Sequence, residues 1–251
     1  MTVSSRGAIP ALLAIDAGNT RIKWGVFDSG KWNPCGALPT AEAARAGEKW
    51  NLIEGHVAAI ASNVAGPEVQ RQLQLACEAR GWPLSVIASQ PAQLGVANGY
   101  RDHRQLGADR WAGLIAAHHG HRGHKLVVNA GTALTIDALN DDGRFEGGLI
   151  VPGPKLMRRS LDRGTAGLRL TEGDFDPLPK STPDAITSGS VQACVGAIER
   201  MAQVMAARGA ASVLIVISGG AASEIVPHLP ERAVLEENLV LEGLRLIAGA
   251  D

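Results

Sequence analysis

Leu12-Leu13-Ala14-Ile15-Asp16-Ala17-Gly18-Asn19-Thr20 and Leu126-Val127-Val128-Asn129-Ala130-Gly131-Thr132-Ala133 read as two copies of one device: an apolar run stopped by an acid or amide, then a small residue, a glycine and a hydroxyl or amide. A third apolar run, Val213 to Ile217, ends in Ser218-Gly219-Gly220-Ala221. Strand-like segments thus deliver glycine turns at three separate places, which is how a split phosphate site is built. Gly18 and Gly131 let the main chain turn sharply and approach a ligand without a Cβ in the way, so amide N–H groups can face anionic oxygens. Asn19, Thr20 and Thr132 add neutral donors. Asp16 repels phosphate but suits Mg²⁺ held through water. Lys23 lies two residues from Arg21 on the returning strand, hence on the same face, where an ammonium reaches toward phosphates or is simply solvated. Neither turn is GxGxxG or GxxxxGK[ST], so the dinucleotide fingerprint and the Walker loop are both absent.

Outward from these turns, Ala11 to Ile15 and Arg21 to Phe27 form a hairpin, and Val57 to Ala61 is a further apolar strand. Glu68 to Arg80 carries Val69, Leu73 and Ala76/Cys77 at helical spacing and stops at Gly81. Leu84 to Ala88 returns to strand, and Asn98 to Gln105 is polar and irregular. Gly107-Ala108-Asp109-Arg110 then opens a helix with Trp111, Leu114, Ile115 and His118 on one face. The second half repeats the scheme with strands at Lys125 to Val128, Ala133 to Leu139 and Gly147 to Val151. Thr182-Pro183-Asp184 reads as N-cap, first helical position and first-turn acid of a long amphipathic helix. Two related α/β lobes follow, 1–120 and 121–251, divided near the His118 to His124 tract, with a cleft between the glycine turns.

Composition narrows the partners. The chain has 251 residues, 45% hydrophobic and 20% charged, enough for a large core. Its 24 Lys plus Arg nearly balance 25 Asp plus Glu, a formal charge of -1, which gives no electrostatic reason for a nucleic-acid or membrane partner. Cys35, Cys77 and Cys194 are odd in number and without CxxC spacing, so neither a disulfide framework nor a zinc site is expected. Arg6 and the run Gly7 to Ile15 only faintly imitate a signal peptide, because Asp16 ends the run without a small-x-small cleavage site. No segment approaches the ~18 to 20 apolar residues of a membrane span. A soluble, cytoplasmic protein is expected. His118, His119, His121 and His124 read as a solvated tract after a helix end, and the five tryptophans as packing residues.

Asp16-Ala17-Gly18-Asn19-Thr20-Arg21-Ile22-Lys23, Gly107-Ala108-Asp109-Arg110 and Asn129-Ala130-Gly131-Thr132-Ala133 resemble, in order and spacing, the DxGNTxxK, GxDR and DxGTA motifs of type III pantothenate kinases. Gly147-Gly148-Leu149-Ile150-Val151-Pro152-Gly153 is similar to that family's GGxIxPG segment, and Ser218-Gly219-Gly220-Ala221 to its last glycine turn. The resemblance spans nearly the whole chain. It implies an α/β fold of two ribonuclease-H-like, actin-like ATPase lobes, with mixed sheets flanked by helices and an interlobe nucleotide cleft. It further implies a homodimer that uses ATP with Mg²⁺ to turn pantothenate into 4'-phosphopantothenate, the first step toward coenzyme A. By this similarity Asp16, Gly18, Asn19, Thr20, Lys23, Gly131, Thr132, Gly219 and Gly220 bind ATP and its metal. Tyr100, Gly107, Ala108, Asp109, Arg110 and Thr182 match pantothenate-binding positions. Asn129 departs from the family's Asp, which is linked to a monovalent cation, so dependence on K⁺ or NH₄⁺ is expected to fall.

The residue chemistry agrees. A primary alcohol needs a carboxylate within reach of its proton, and Asp109 is the candidate base. Arg110 suits the substrate's carboxylate through two parallel N–H donors. Asp109 is also a fitting cap for its own helix, as Thr182 is for the later one, and Tyr100 suits a loop surface. Two other functions stay open: a phosphohydrolase of the same superfamily, with an acid activating water, and a nucleotide-binding accessory protein acting through a regulatory partner.

Overall fold

The computed structural model describes residues 11–55, 57–165, 172–230 and 233–249; residues 6–10 of the signal-like stretch lie outside them. Two compact units emerge, each discontinuous in sequence: residues 1–88, 107–112 and 240–251, and residues 89–106 and 113–239. Each is built on one mixed sheet.

In the first unit β1 (Ala11–Ala17), β2 (Arg21–Asp28) and β3 (Lys31–Pro39) form an antiparallel meander. A 3₁₀ segment (Thr40–Arg45) and α1 (Ala46–Lys49) lead to β4 (Val57–Asn63), parallel to β1. Then α2 (Pro67–Glu78) crosses over to β5 (Leu84–Val86), as a parallel neighbour requires. The sheet order is β3-β2-β1-β4-β5. β1 is central and buried on both faces, which is why it reads as a continuous apolar run rather than an alternation. Leu13, Ile15 and Ala17 pack with Val69, Leu73 and Cys77 of α2 and with Trp24, Trp50 and Trp82. Leu12 and Ala14, on the opposite face, meet Ala112 and the Val240, Leu241 and Leu244 side chains of the chain's last helix. Truncating a fully buried residue such as Leu13 or Ile15 to Ala costs about 2–5 kcal/mol.

The second unit repeats the plan. β8 (Lys125–Ala130), β9 (Ala133–Leu139) and β10 (Arg144–Pro152) form a meander, followed by β11 (Leu214–Ser218), parallel to β8, and β12 (Ala233–Leu235), parallel to β11. Two short strands, β6 (Ala92–Gln93) and β7 (Val96–Asn98), extend this sheet to the order β12-β11-β8-β9-β10-β7-β6. Helices α4 (Pro154–Gly164), α5 (Thr182–Ala207) and α6 (Ala222–Ile225) complete it, with Cys194, Ile198 and Met205 of α5 on the Leu126, Val128 and Ile136 face.

Helix α3 (Ala108–Gly120) begins in the first unit and ends in the second, and α7 (Leu239–Ala248) belongs to the first from Val240 onward. The sheets therefore do not divide at residue 120, because β6 and β7 precede it and pair within the second sheet. Two local readings also change. The N-cap of α5 is Ser181, whose Oγ accepts from Asp184 N at 3.3 Å, and Thr182 is the first helical residue. His118 is half-buried rather than solvated: a Cβ on Gly95 would stand 3.0 Å from its Nε2, and one on Gly143 2.8 Å from its Cε1.

Candidate active site

Asp16 ends the apolar part of β1 between two partners. Its strand register sets it opposite Lys23 on β2 and Ser62 on β4, so the three residues share one face. Ser62 is fully buried and its Oγ donates to Asp16 Oδ1 at 2.9 Å. Burial, followed by the charge of Asp109, pushes the Asp16 carboxyl up to about 6, against the pull of Ser62 and Lys23. The turn that follows is tied at both ends. Gly18 N donates to Arg21 O at 3.1 Å, Thr40 Oγ1 donates to Gly18 O at 2.7 Å, and Thr40 N donates to Thr20 O at 3.0 Å. Asn19 and Thr20 are exposed at the tip.

Asp109 stands at the start of α3 in the same unit as Asp16. Trp111 N donates to Gly107 O at 3.0 Å, which opens the helix, and Arg110 N donates to Asp109 Oδ1 at 2.8 Å. The carboxylate thus folds back over the first turn, where the helix dipole favours negative charge. A Cβ on Gly107 would lie 2.5 Å from Asp109 Oδ1, so glycine is what the fold-back requires. Burial raises the Asp109 carboxyl, while the Arg110 amide and guanidinium pull it down. Arg110 itself is buried. Asp109 is thus the second residue of α3 rather than its N-cap, and it combines a first-turn amide contact with a carboxyl shifted toward the pKa of a working base.

The second unit brings together the other glycine turns. Asn129 occupies the register of Asp16, opposite Thr135 on β9 and Ser218 on β11. Gly131 N donates to Ala133 O at 3.0 Å, and Gly153 N, just past β10, donates to Thr132 O at 2.9 Å, as Thr40 past β3 does to Thr20. Gly219 has φ +103, and a Cβ there would lie 2.5 Å from Ala130 O and 2.7 Å from Asn129 Oδ1, so only glycine fits. Ala221 N donates to Ala130 O at 2.9 Å, which sets the Gly219-Gly220 turn beside Ala130 and Gly131. Tyr100 rests on Phe145, ring centroids 5.0 Å apart, and Thr182 is exposed at the start of α5.

Sequence reasoning missed Ser62 and Thr40. Ser62 lies near the end of β4, an apolar strand without a glycine turn, and Thr40 opens a 3₁₀ segment that carries no motif. No group of three or more His, Cys, Asp or Glu able to hold a metal exists among the described residues, nor a helix long and apolar enough to cross a membrane.

Comparison with known proteins gives a consistent result. The family model for type III pantothenate kinase matches residues 12–204. A type III pantothenate kinase of Nitrosospira multiformis is 42% identical over 240 residues, 95% of this chain and 91% of the relative. One of Aromatoleum aromaticum is 43% identical over 240 residues, 96% and 98% of the two chains. Among solved structures, a candidate 2-dehydro-3-deoxygalactonokinase of Sinorhizobium meliloti superposes with TM-score 0.61 at 18% identity, covering 95% and 96%. A Campylobacter jejuni protein described as a candidate Baf family transcriptional activator gives 0.58 at 18%, covering 94% and 97%. At that identity the last two bear on the fold alone.

Proposed function

Since the chain belongs to the type III pantothenate kinase family, we propose how its residues divide the work of phosphorylating pantothenate with ATP, the first step of coenzyme A synthesis. The observation that carries the assignment is that Asp16 and Asp109, two half-buried carboxylates at the end of β1 and the start of α3 within one unit, lie near enough for the charge of Asp109 to raise the Asp16 carboxyl. Asp109 accepts the proton of the pantothenate hydroxyl as that oxygen attacks the terminal phosphorus of ATP, and ADP leaves. Arg110 pairs with the pantothenate carboxylate, and Tyr100, Gly107, Ala108 and Thr182 complete the acceptor site. Gly18, Asn19, Thr20, Lys23, Gly131, Thr132, Gly219 and Gly220 contact ATP through main-chain and side-chain donors.

Mg²⁺ fits Asp16. The donor is a hard oxygen, the neighbouring carboxylate makes a cation electrostatically welcome, and one or two carboxylates plus phosphate oxygens are the usual ligand set of this ion. When bound with ATP it supplies charge neutralisation at the phosphates. A monovalent cation fits less well, because Asn129 offers a neutral carbonyl oxygen and no charge. The kinase therefore depends less on K⁺ or NH₄⁺ than the family pattern implies. It acts in the cytoplasm as a homodimer, a reading supported by the family and by Leu149, Ile150, Leu156 and Leu161, which the second unit exposes; sedimentation at a monomer mass would contradict it.

A coupled ADP assay tests the division of labour. Arg110→Lys, which loses the bidentate fork, is expected to raise KM for pantothenate about tenfold or more while KM for ATP stays within about twofold. In the same assay, replacing potassium by sodium leaves the wild-type rate nearly unchanged. Parallel rises in both KM values, or a strict potassium requirement, would contradict the respective assignment.

A further inference from the structure

The Ser62 hydroxyl lies where no motif pointed. Val57–Asn63 runs parallel to β1, and the register pairs Asp16 with Ser62 directly. Serine at a strand end commonly turns back on its own backbone. Here it crosses instead to the neighbouring strand, donating to one named oxygen, Asp16 Oδ1, at 2.9 Å, from a fully buried position. That bond restrains the rotation of the Asp16 carboxylate from the side of β4. The duplicated half repeats the placement, with Ser218 on β11, also buried, opposite Asn129 on β8. In both halves a buried serine therefore flanks the polar residue that ends the central strand.

We propose that Ser62 is a positioning residue of the nucleotide site, holding the Asp16 carboxylate in the orientation that receives the metal of Mg-ATP. The proposal rests on the assignment of Asp16 to that metal. Groups that orient a metal-facing carboxylate without touching the ion typically contribute 10- to 100-fold to metal affinity, roughly what one hydrogen bond to a charged acceptor supplies. Serine in this place does more than fill space, since alanine would occupy nearly the same volume.

The test uses the full chain saturated with a non-hydrolysable ATP analogue and follows Mn²⁺ binding by electron paramagnetic resonance, which needs no turnover. Ser62→Ala is expected to weaken Mn²⁺ about tenfold, with pantothenate affinity by calorimetry kept within about twofold. Asp16→Asn, measured beside it, separates the two claims. If Asp16→Asn weakens Mn²⁺ and Ser62→Ala does not, the role of Ser62 is overturned while that of Asp16 stands. If neither substitution changes Mn²⁺ affinity, the assignment of Asp16 fails and the proposal with it. A parallel loss of pantothenate and Mn²⁺ affinity in Ser62→Ala would mark a merely structural serine and also overturn it.

Discussion

Asp16 is held in a surrounding that opposes its charge. Burial and the nearby Asp109 carboxylate together lift its pKa to about 6, so at neutral pH the folded chain keeps an anion that the unfolded chain carries more easily. The sign follows from linkage. Below about pH 4 the group is protonated in both states and costs nothing; between about 4 and 6 only the unfolded state ionises, so stability falls as pH rises; above about 6 the cost is constant. Asp16→Asn keeps an oxygen for Ser62 and removes the charge. It is expected to stabilise the ligand-free protein by about 1–3 kcal/mol at pH 7.5, to lose that gain below about pH 4, and to impair Mg-ATP use. Urea unfolding at the two pH values checks this; equal or lower stability at pH 7.5 would show that the surroundings do not strain the anion. Burial opposes the charge of Asp109 as well, but there the Arg110 amide offsets part of the cost, so one first-turn contact serves the helix and the chemistry at once.

At the scale of elements, the glycine turns are the parts that tolerate least change. Gly219 combines φ +103 with a close approach to Ala130 O, so Gly219→Ala is expected to cost about 1–3 kcal/mol and to raise KM for ATP, with KM for pantothenate little altered. Thermal melting and steady-state kinetics read both effects, and an unchanged KM for ATP would detach this turn from the nucleotide. The same turns were what the sequence made legible, along with the β1–β2 hairpin and α2, whose Val69, Leu73 and Cys77 spacing is its buried face. Other elements lacked such a signal. β3 alternates poorly, α4 leaves Leu156 and Leu161 exposed, and β6 and β7 are only two and three residues long. Ser181 and Thr182 are adjacent hydroxyls, and nothing local to the sequence tells which one caps α5. His118 read as solvated because its cover, Gly95 and Gly143, comes from distant loops.

For the whole molecule, duplication is the organising fact. β3-β2-β1-β4-β5 and β10-β9-β8-β11-β12 have the same order and strand directions, and each half ends its central strand with a polar residue beside a tied glycine turn. The halves differ in charge. Asp16 and Lys23 of the first correspond to Asn129 and Thr135 of the second, which concentrates the charged groups in the first copy. Motif order made that repeat readable, whereas the exchange of segments between units was not, because it depends on which sheet β6, β7 and α7 pack against. The account turns on Asp109 as the base, and the most direct measurement is the single-turnover rate of phosphoryl transfer to pantothenate by rapid quench in wild type and Asp109→Asn. The predicted result is a loss of about 10²- to 10⁴-fold, with ATP affinity within about threefold; equal rates in the two proteins would contradict it.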